Sequence, residues 1–411
     1  STVKSEAGSI TLEGIGAKGT DDGNQRILIS NSVIDAILGN VTLTGDEIQL
    51  SGTSQLKGTQ TIQLQPLTPD LPITIGGIQP NSDVPPLNLD QAELDKFIGF
   101  SQMIIGRTDG TGKIAIDPAG VKFNSSTTTI QSPIAPGSIA VDGPITAKGS
   151  IVFNGATSLS KNVTTIDKNI TFNSPVTLTN NVFVGTGAGA GDIVFNQIVE
   201  GNQDLTLNAG TGKIIFKTPL DSDNPLKSLT VNSPISLGVN ITTGGSQTYK
   251  DTVNISNNPI LKANGISFNK NVDGDSDLTV NGGNGNISFT GTIGNSNALK
   301  DLKANSTGTT TFAQTVKAQS LTTDAGGTTE IKGDVTTTGN QTYGDAVTIA
   351  NNPILTGNGI TFNNTVNGNS NLTVDGGSGN VTFTGAIGNS TTPLGEIIAN
   401  TSGTTNFAST V

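Results

Sequence analysis

The stretch Gln247–Ser296 reads QTYKDTVNISNNPILKANGISFNKNVDGDSDLTVNGGNGNISFTGTIGNS, and Gln341–Ser390 reads QTYGDAVTIANNPILTGNGITFNNTVNGNSNLTVDGGSGNVTFTGAIGNS. The two stretches are identical at 33 of 50 positions, at an offset of 94 residues. The related copies extend over about 247–316 and 341–411, and a weaker copy occupies about 192–232. Internal repeats of this kind predict stacked structural units.

A shorter period lies inside each copy. Phe268 and Phe289 are 21 residues apart, as are Phe362 and Phe383. The strands between them are short and alternate apolar with polar residues, which places one side chain inside and the next outside. Gly, Asn or Asp bounds each strand, and these residues tolerate the backbone of tight corners. We predict an all-β chain folded as a right-handed parallel β-helix (β-solenoid) with about 21 residues per coil. The residues expected in stacked inward ranks are Phe268, Phe289, Phe312, Phe362, Phe383 and Phe407.

Composition agrees with a thin core repeated along an axis. The chain has 411 residues, 53 of them Gly, with 33% hydrophobic and only 4% aromatic residues. A narrow coil holds few apolar side chains, so this share is sufficient, whereas a thick globular core would need more. Stacked coils also bring equivalent residues of neighbouring coils onto one another in ladders.

Missing residue types exclude several chemistries. The chain has no His and no Cys, which rules out a Ser-His-Asp triad, a zinc–thiolate site and a disulfide. The net charge is −11 and the isoelectric point about 4.4, which argues against nucleic acid as a partner. No stretch approaches the ~20 apolar residues of a membrane span, so we expect a chain that does not span a membrane. We predict no catalytic residue, no cofactor and no metal site.

Asparagine content suggests two parts. Residues 1–150 contain 6 Asn and residues 151–411 contain 37. We therefore predict a β-solenoid over 1–150, interrupted by a Pro-rich excursion and a short helix at 66–99, and a repeat β-solenoid over 151–411. The helix is expected near 89–98, over two to three turns, with Asn88 as N-cap, Gln91 in a capping box and Gly99 at its end. The side chains expected to cover a flank of the coils are Leu89, Leu94 and Phe97.

One acidic cluster has the spacing of a calcium loop. Asp273, Asp275 and Asp277 alternate along the chain, and hard cations favour such oxygen ligands. The later copy has asparagines at these positions, which favours a solvated corner. The glycines of Gly282–Gly285 resemble a calcium-binding nonapeptide of toxin β-rolls, but Asn286 stands where that repeat needs Asp.

Two further motifs have simpler explanations. Residues 110–113 and 210–213 both read GTGK, but the spacing of a phosphate-binding loop is missing and no helix follows. We interpret both as turns. Triplets of the form Asn-x-Ser/Thr, such as the one at Asn162, arise by chance in strands rich in Asn and Thr.

Two segments resemble a known family. NLDQAELDKFIGFSQMIIGRTDGTGKI, Asn88 to Ile114, resembles a segment of large bacterial surface proteins of the filamentous-haemagglutinin type, mostly from cyanobacteria and other Gram-negative bacteria. GNGITFNNTVNGNSNLTVDGGSGNVTFTGAIG, Gly357 to Gly388, is similar to their β-strand repeats. The resemblance covers most of the chain and implies a right-handed parallel β-helix, secretion across the outer membrane, and adhesive or matrix roles. The family's Asn-Pro-Asn-Gly signature is absent, since Ile354 follows Asn352-Pro353.

These observations lead to one functional hypothesis and two alternatives. The hypothesis is a non-enzymatic, extracellular cell-surface fibre or adhesin segment that contacts surface glycans or other fibres. The first alternative is a β-helical polysaccharide-active enzyme, which needs acids clustered with Arg or Lys, whereas Arg occurs only at Arg26 and Arg107. The second is a calcium-binding repeat protein. An ice-binding face is disfavoured because the Thr spacing is irregular.

The ends of the chain carry a separate expectation. No capping helix or Pro cluster follows Val411, and the N-terminal part opens directly into Gly8-Ser-Ile-Thr-Leu12. Open solenoid ends expose unpaired strand edges. We therefore expect a segment of a longer fibre, or end-to-end self-association.

Overall fold

Short parallel strands account for nearly all of the regular structure in a computed structural model, which describes residues 1–14, 26–77, 87–388, 391 and 393–411. The chain divides into two units, residues 1–213 and residues 214–411. Part of the predicted Pro-rich excursion, residues 78–86, lies outside the described residues. The compositional boundary near residue 150 stays a prediction.

The first unit contains strands of two to five residues and one helical turn. Its elements are β1 Thr2–Ser5, β2 Ile10–Glu13, β3 Arg26–Ser30, β4 Val33–Ala36, β5 Val41–Thr44, β6 Glu47–Ser51, β7 Gln55–Gly58, β8 Thr61–Gln65, β9 Ile73–Ile75, β10 Leu87–Leu89, α1 Gln91–Leu94, β11 Phe97–Ile98, β12 Gln102–Gly106, β13 Lys113–Ile116, β14 Val121–Phe123, β15 Thr127–Gln131, β16 Ser138–Val141, β17 Ile145–Ala147, β18 Ser150–Asn154, β19 Ala156–Leu159, β20 Val163–Thr165, β21 Ile170–Phe172, β22 Val176–Leu178, β23 Val182–Gly185, β24 Ile193–Phe195, β25 Val199–Glu200 and β26 Asp204–Asn208.

The second unit is built from strands alone in its described part. Its elements are β27 Ile214–Phe216, β28 Ser228–Val231, β29 Ile235–Leu237, β30 Ile241–Thr242, β31 Gln247–Tyr249, β32 Val253–Ile255, β33 Ile260–Lys262, β34 Ile266–Phe268, β35 Val272–Gly274, β36 Leu278–Gly283, β37 Ile287–Phe289, β38 Leu299–Ser306, β39 Thr309–Phe312, β40 Val316–Thr323, β41 Thr328–Ile331, β42 Val335–Thr337, β43 Gln341–Tyr343, β44 Ala346–Ile349, β45 Ile354–Thr356, β46 Ile360–Phe362, β47 Val366–Gly368, β48 Leu372–Asp375, β49 Val381–Phe383, β50 Ile397–Asn400 and β51 Thr405–Phe407.

Three strands make one coil, and each pairs in parallel with the strand one coil later. In the first unit β18 pairs with β21, and β19 with β22. In the second unit β31 pairs with β34, β32 with β35 and β33 with β36. Outside the two long excursions, partners lie between 18 residues apart, as Ile235 and Val253, and 25 apart, as Met103 and Thr128. The predicted all-β parallel solenoid of about 21 residues per coil is confirmed.

The predicted aromatic ranks are also confirmed. In the second unit the ring centroids of Phe268 and Phe289 are 4.8 Å apart, and those of Phe289 and Phe312 are 5.4 Å apart. A second stack joins Phe362 to Phe383 at 4.7 Å and Phe383 to Phe407 at 5.2 Å. These distances follow from the strand spacing of about 4.8 Å, since paired residues of parallel strands lie directly over one another. All these rings are buried except that of Phe407, which is 42% exposed.

Each stack starts at a buried Tyr held by a Gln two residues earlier. The Tyr343 hydroxyl donates to Gln341 Oε1 at 2.8 Å, and Gln341 Nε2 donates to the Thr356 carbonyl at 2.8 Å. Tyr249 and Gln247 make the same bond at 2.9 Å. Burial raises the pKa of both Tyr side chains far above the usual value, so each hydroxyl stays protonated and donates.

The two repeat copies lie on different sides of the coil. The rank of Tyr249 continues through Phe268, Phe289 and Phe312 to Ile331. Tyr343 lies instead in the neighbouring rank, where it pairs with Thr323. Ile331 is four coils beyond Tyr249, and Tyr343 follows two strands later, so the 94-residue copy spans four coils and two further sides. The second copy is therefore rotated by one side relative to the first.

Helix α1 is shorter than predicted, and the predicted cap residues are wrong. Asp90 is the N-cap and accepts from the Glu93 backbone N–H at 2.7 Å, while Glu93 completes the capping box. Asn88 and Leu89 belong to β10, because Leu87 and Leu89 turn inward to pair with β9. Asp95, and not Gly99, is the C-cap. The predicted cover is correct, since Leu89, Leu94 and Phe97 are buried.

Candidate functional site

The three aspartates with calcium-like spacing are used to join coils. Asp273 Oδ1 accepts from the Ser296 backbone N–H at 2.8 Å, and Asp277 Oδ1 accepts from the Asp301 N–H at 3.1 Å. Asp275 is exposed. Over the described residues, no group of three or more acidic side chains is arranged to hold a metal ion. The solvated-corner interpretation therefore fits the geometry better than the calcium one.

Asparagines and aspartates at corners perform the same task throughout both units. An Asn or Asp Oδ1 atom accepts from a backbone N–H one coil later, at 2.7 to 3.1 Å for the residues given next. They are Asn162, Asn169, Asn181, Asp192, Asn240, Asn258, Asn286, Asn352 and Asn380. Asn258 and Asn352 have φ values of 53° and 54°, a left-handed conformation that Asn tolerates better than most residues. The high Asn content is thus explained by coil joining.

The two GTGK stretches are turns, as predicted. Gly110 N–H donates to the Arg107 carbonyl at 3.2 Å, and β13 starts directly at Lys113. Gly212 N–H donates to the Ala209 carbonyl at 2.7 Å. No helix follows either turn, so neither backbone is shaped to bind a phosphate group.

Arg107 has a structural position. Its guanidinium donates to both carboxylate oxygens of Asp109, at 2.7 and 2.9 Å, and to the Pro66 and Leu67 carbonyls at 3.2 and 3.1 Å. The hydrogen bonds between them raise the pKa of Arg107 and lower that of Asp109. Arg107 therefore fastens the loop after β8 to the coil. The side chain of Arg26 lies outside the described part of the chain.

Helix α1 replaces strand pairing at two strand edges. Glu93 Oε1 accepts from the Leu50 backbone N–H at 3.1 Å, and Lys96 Nζ donates to the Leu50 carbonyl. Gln91 acts likewise on Lys122, accepting from its N–H at 2.8 Å and donating to its carbonyl at 3.1 Å. The helix thus satisfies backbone groups of β6 and β14. Burial raises the pKa of Glu93 to about 7, against the hydrogen bonds from Leu50 and Asp90.

A groove of about 600 Å³ lies beside α1. Its walls include Gln91, Asp95, Lys122, Thr146 and Lys148. Asp95 is occupied by hydrogen bonds from Gln91 at 2.9 Å and Asn124 at 3.3 Å. With one acid that is already bonded, the groove does not present the pair of carboxylates that glycoside hydrolysis normally uses.

Outward hydroxyl side chains form two columns in the second unit. The first hydroxyl column consists of Thr230, Thr248, Ser267, Ser288 and Thr311. Within each column, each residue pairs with the next one coil later, so the hydroxyls repeat at about the strand spacing of 4.8 Å. The second hydroxyl column consists of Thr322, Thr342, Thr361 and Thr382.

The columns are accessible, and most of their hydroxyls are uncommitted. Each side chain is half-buried between inward neighbours. Thr311 donates to Glu330 Oε2 at 3.2 Å. The other hydroxyls of the two columns make no hydrogen bond to the described residues. The sequence analysis overlooked these columns because the residues are 18 to 23 positions apart and belong to no short motif.

Comparison with known proteins adds no identification. No protein-family model, no curated protein and no solved structure matches this chain. Within the described ranges, the structure contains no helix of the length and apolar character needed to cross a membrane.

Proposed function

We propose that this chain is a non-enzymatic segment of a secreted cell-surface fibre or adhesin, and that it binds uncharged glycans. The observation that carries the proposal is the pair of hydroxyl columns, whose side chains are accessible and largely without internal hydrogen-bond partners. A hydroxyl both donates and accepts, so a column of them is suited to the hydroxyl-rich surface of a polysaccharide.

Repetition compensates for weak individual contacts. A single exposed hydroxyl contributes little, because water competes for the same hydrogen bond. Several contacts to one polymer chain combine through a high effective concentration. The net charge of −11 also disfavours unspecific attraction to anionic surfaces, so contact would depend on the neutral faces.

The proposed location is the outer surface of a Gram-negative bacterium such as a cyanobacterium. Support comes from the likeness of Asn88–Ile114 and Gly357–Gly388 to filamentous-haemagglutinin-type proteins. Other fibres of the same surface are the second proposed class of partner.

A binding and turnover experiment tests this function. The purified chain is incubated with insoluble cellulose, in low salt and in about 1 M salt, and bound protein and new reducing ends are measured. We expect binding that persists in high salt, because contacts between neutral groups are not screened. Carboxymethyl cellulose is the charged control, and we expect it to bind less. Release of reducing ends would support the enzyme alternative, and absence of binding would contradict the proposal.

A further inference from the structure

The 94-residue repeat carries the same hydroxyl column to a second side of the coil. Thr248, Ser267 and Ser288 of the first column correspond in the repeat to Thr342, Thr361 and Thr382 of the second. The first set lies on the strands that carry Tyr249, Phe268 and Phe289, and the second on those that carry Tyr343, Phe362 and Phe383. Because the copies are rotated by one side, the two columns face different directions.

Positions beside the columns are almost free of charge. In the first copy the outward residues that flank the column over four coils include one charged side chain, Lys250. These flanking residues are Ser246, Gly265, Asn286, Thr309, Lys250, Asn269, Thr290 and Ala313. In the second copy none is charged. The corresponding residues are Asn340, Gly359, Asn380, Thr404, Gly344, Asn363, Thr384 and Ala408.

This neutrality selects the partner. The third side of the same unit carries outward charges, with Lys317 and Asp375 in the column of Thr336 and Thr356. A polymer with carboxylate or sulfate groups gains nothing from the two neutral faces and meets the negative charge of the whole chain. An uncharged polyhydroxylated polymer matches them, since it loses no ion hydration on contact.

We propose that residues 214–411 bind two chains of a neutral polysaccharide at once, one on each hydroxyl column, and thereby cross-link them. The proposal rests on the glycan-binding function proposed above. A straight polymer lying along one column stays on that side of the coil and does not reach the other. The second column also begins more than four coils further along the axis, so each column is a separate site.

Two isosteric variants of the full chain separate the columns. The first-column variant is Thr248→Val, Ser267→Ala and Ser288→Ala, and the second-column variant is Thr342→Val, Thr361→Val and Thr382→Val. Each change removes a hydroxyl from an outward position and keeps a side chain suited to a strand. The matched control is Thr336→Val with Thr356→Val, which removes hydroxyls from the charged side. Circular dichroism verifies that all variants are folded.

The probe is soluble hydroxyethyl cellulose, an uncharged polymer. Binding is measured by the retardation of the protein in gels that contain the polymer, and cross-linking by the light scattering of the polymer after protein is added. We expect the wild-type chain and the control to be retarded and to raise the scattering. Each single-column variant keeps about half of the retardation and loses the rise in scattering, and the combined variant loses both.

Several results would overturn the proposal. Scattering that persists in either single-column variant would show that cross-linking does not need two columns. Loss of all binding in one single-column variant would show one composite site, with glycan binding itself intact. Wild-type binding without a rise in scattering would show one chain per protein. No binding by the wild type would instead contradict the glycan-binding function.

Discussion

Replacement of Phe289 by Ala should remove the centre of an aromatic stack. Phe289 is 1% exposed and lies between Phe268 at 4.8 Å and Phe312 at 5.4 Å, with interplanar angles of 3° and 7°. Truncation of a buried Phe to Ala costs about 3–5 kcal/mol, because the transfer free energy is lost and a cavity remains. Paired strands directly above and below restrict collapse of the cavity, so we expect a value in the upper half of this range.

The loss should be confined to neighbouring coils. In a stacked array each unit interacts mainly with its neighbours, so stability is nearly a sum of local terms. Hydrogen exchange by mass spectrometry should show faster exchange in β34, β37 and β39, and little change in the first unit. Phe407→Ala is the matched control, since Phe407 is 42% exposed and stacks on Phe383 alone, and it should cost about half as much or less.

A loss below about 1 kcal/mol for Phe289→Ala, measured by urea unfolding of the folded chain, would refute the assignment of this ring to the core. Equal losses for both variants would also refute the reasoning, because burial and stacking would then not set the magnitude. Faster exchange spread evenly over both units would contradict the local character of the stability.

Two further predictions concern buried polar groups. The pKa of Glu93 is raised to about 7, above its ordinary value of 4.5, so the folded state binds the proton more tightly than the unfolded state. The stability of the α1 region should therefore be greatest below pH 4.5 and fall as the pH rises through 7; Glu93→Gln should flatten this profile, measured by exchange of the Leu50 amide, and an opposite slope would contradict it. Tyr343→Phe leaves the buried Gln341 Oε1 without its donor and should cost about 1–3 kcal/mol in urea unfolding, whereas an unchanged midpoint would show that water replaces the hydroxyl.

The coil and its core were readable from the sequence because they depend on local alternation. In Ile266-Ser-Phe268 or Val381-Thr-Phe383 a period of two decides which side chains point inward, and a recurrence near 21 brings them into ranks. The rotation between copies was not read, because coil length varies between 18 and 25 residues and the phase accumulates over several coils. One signal was available, since 94 is not a multiple of 21.

The cap of α1 and the role of its side chains were harder to predict. Asn88 and Asp90 are both good N-cap residues, and local propensity does not choose between them. The choice is made by Leu87 and Leu89, which pair with β9 and hold Asn88 in a strand. The bonds from Glu93 and Lys96 to Leu50 depend on which strand edge the helix meets, and that is a property of the folded coil.

The position of the hydroxyl columns follows from the packing of the core. Opposite the large Phe289 and Phe312, the neighbouring rank of the first copy contains the small Val280, Ala304 and Thr323. Interiors packed at constant density leave little room for a second aromatic stack in the same coil. When the aromatic rank moves to Tyr343, the former aromatic rank continues with smaller residues, ending at Gly368.

Because alternate residues of one strand point inward and outward, an aromatic rank and a hydroxyl column are two faces of the same strands. Thr342 precedes Tyr343 just as Thr248 precedes Tyr249, so a repeat that shifts its aromatic stack by one side must shift its hydroxyl column as well. A repeat of whole coils would have built one longer column on a single side. The additional two sides in the 94-residue period place the second column in a new direction, and the proposed cross-linking depends on that change of direction.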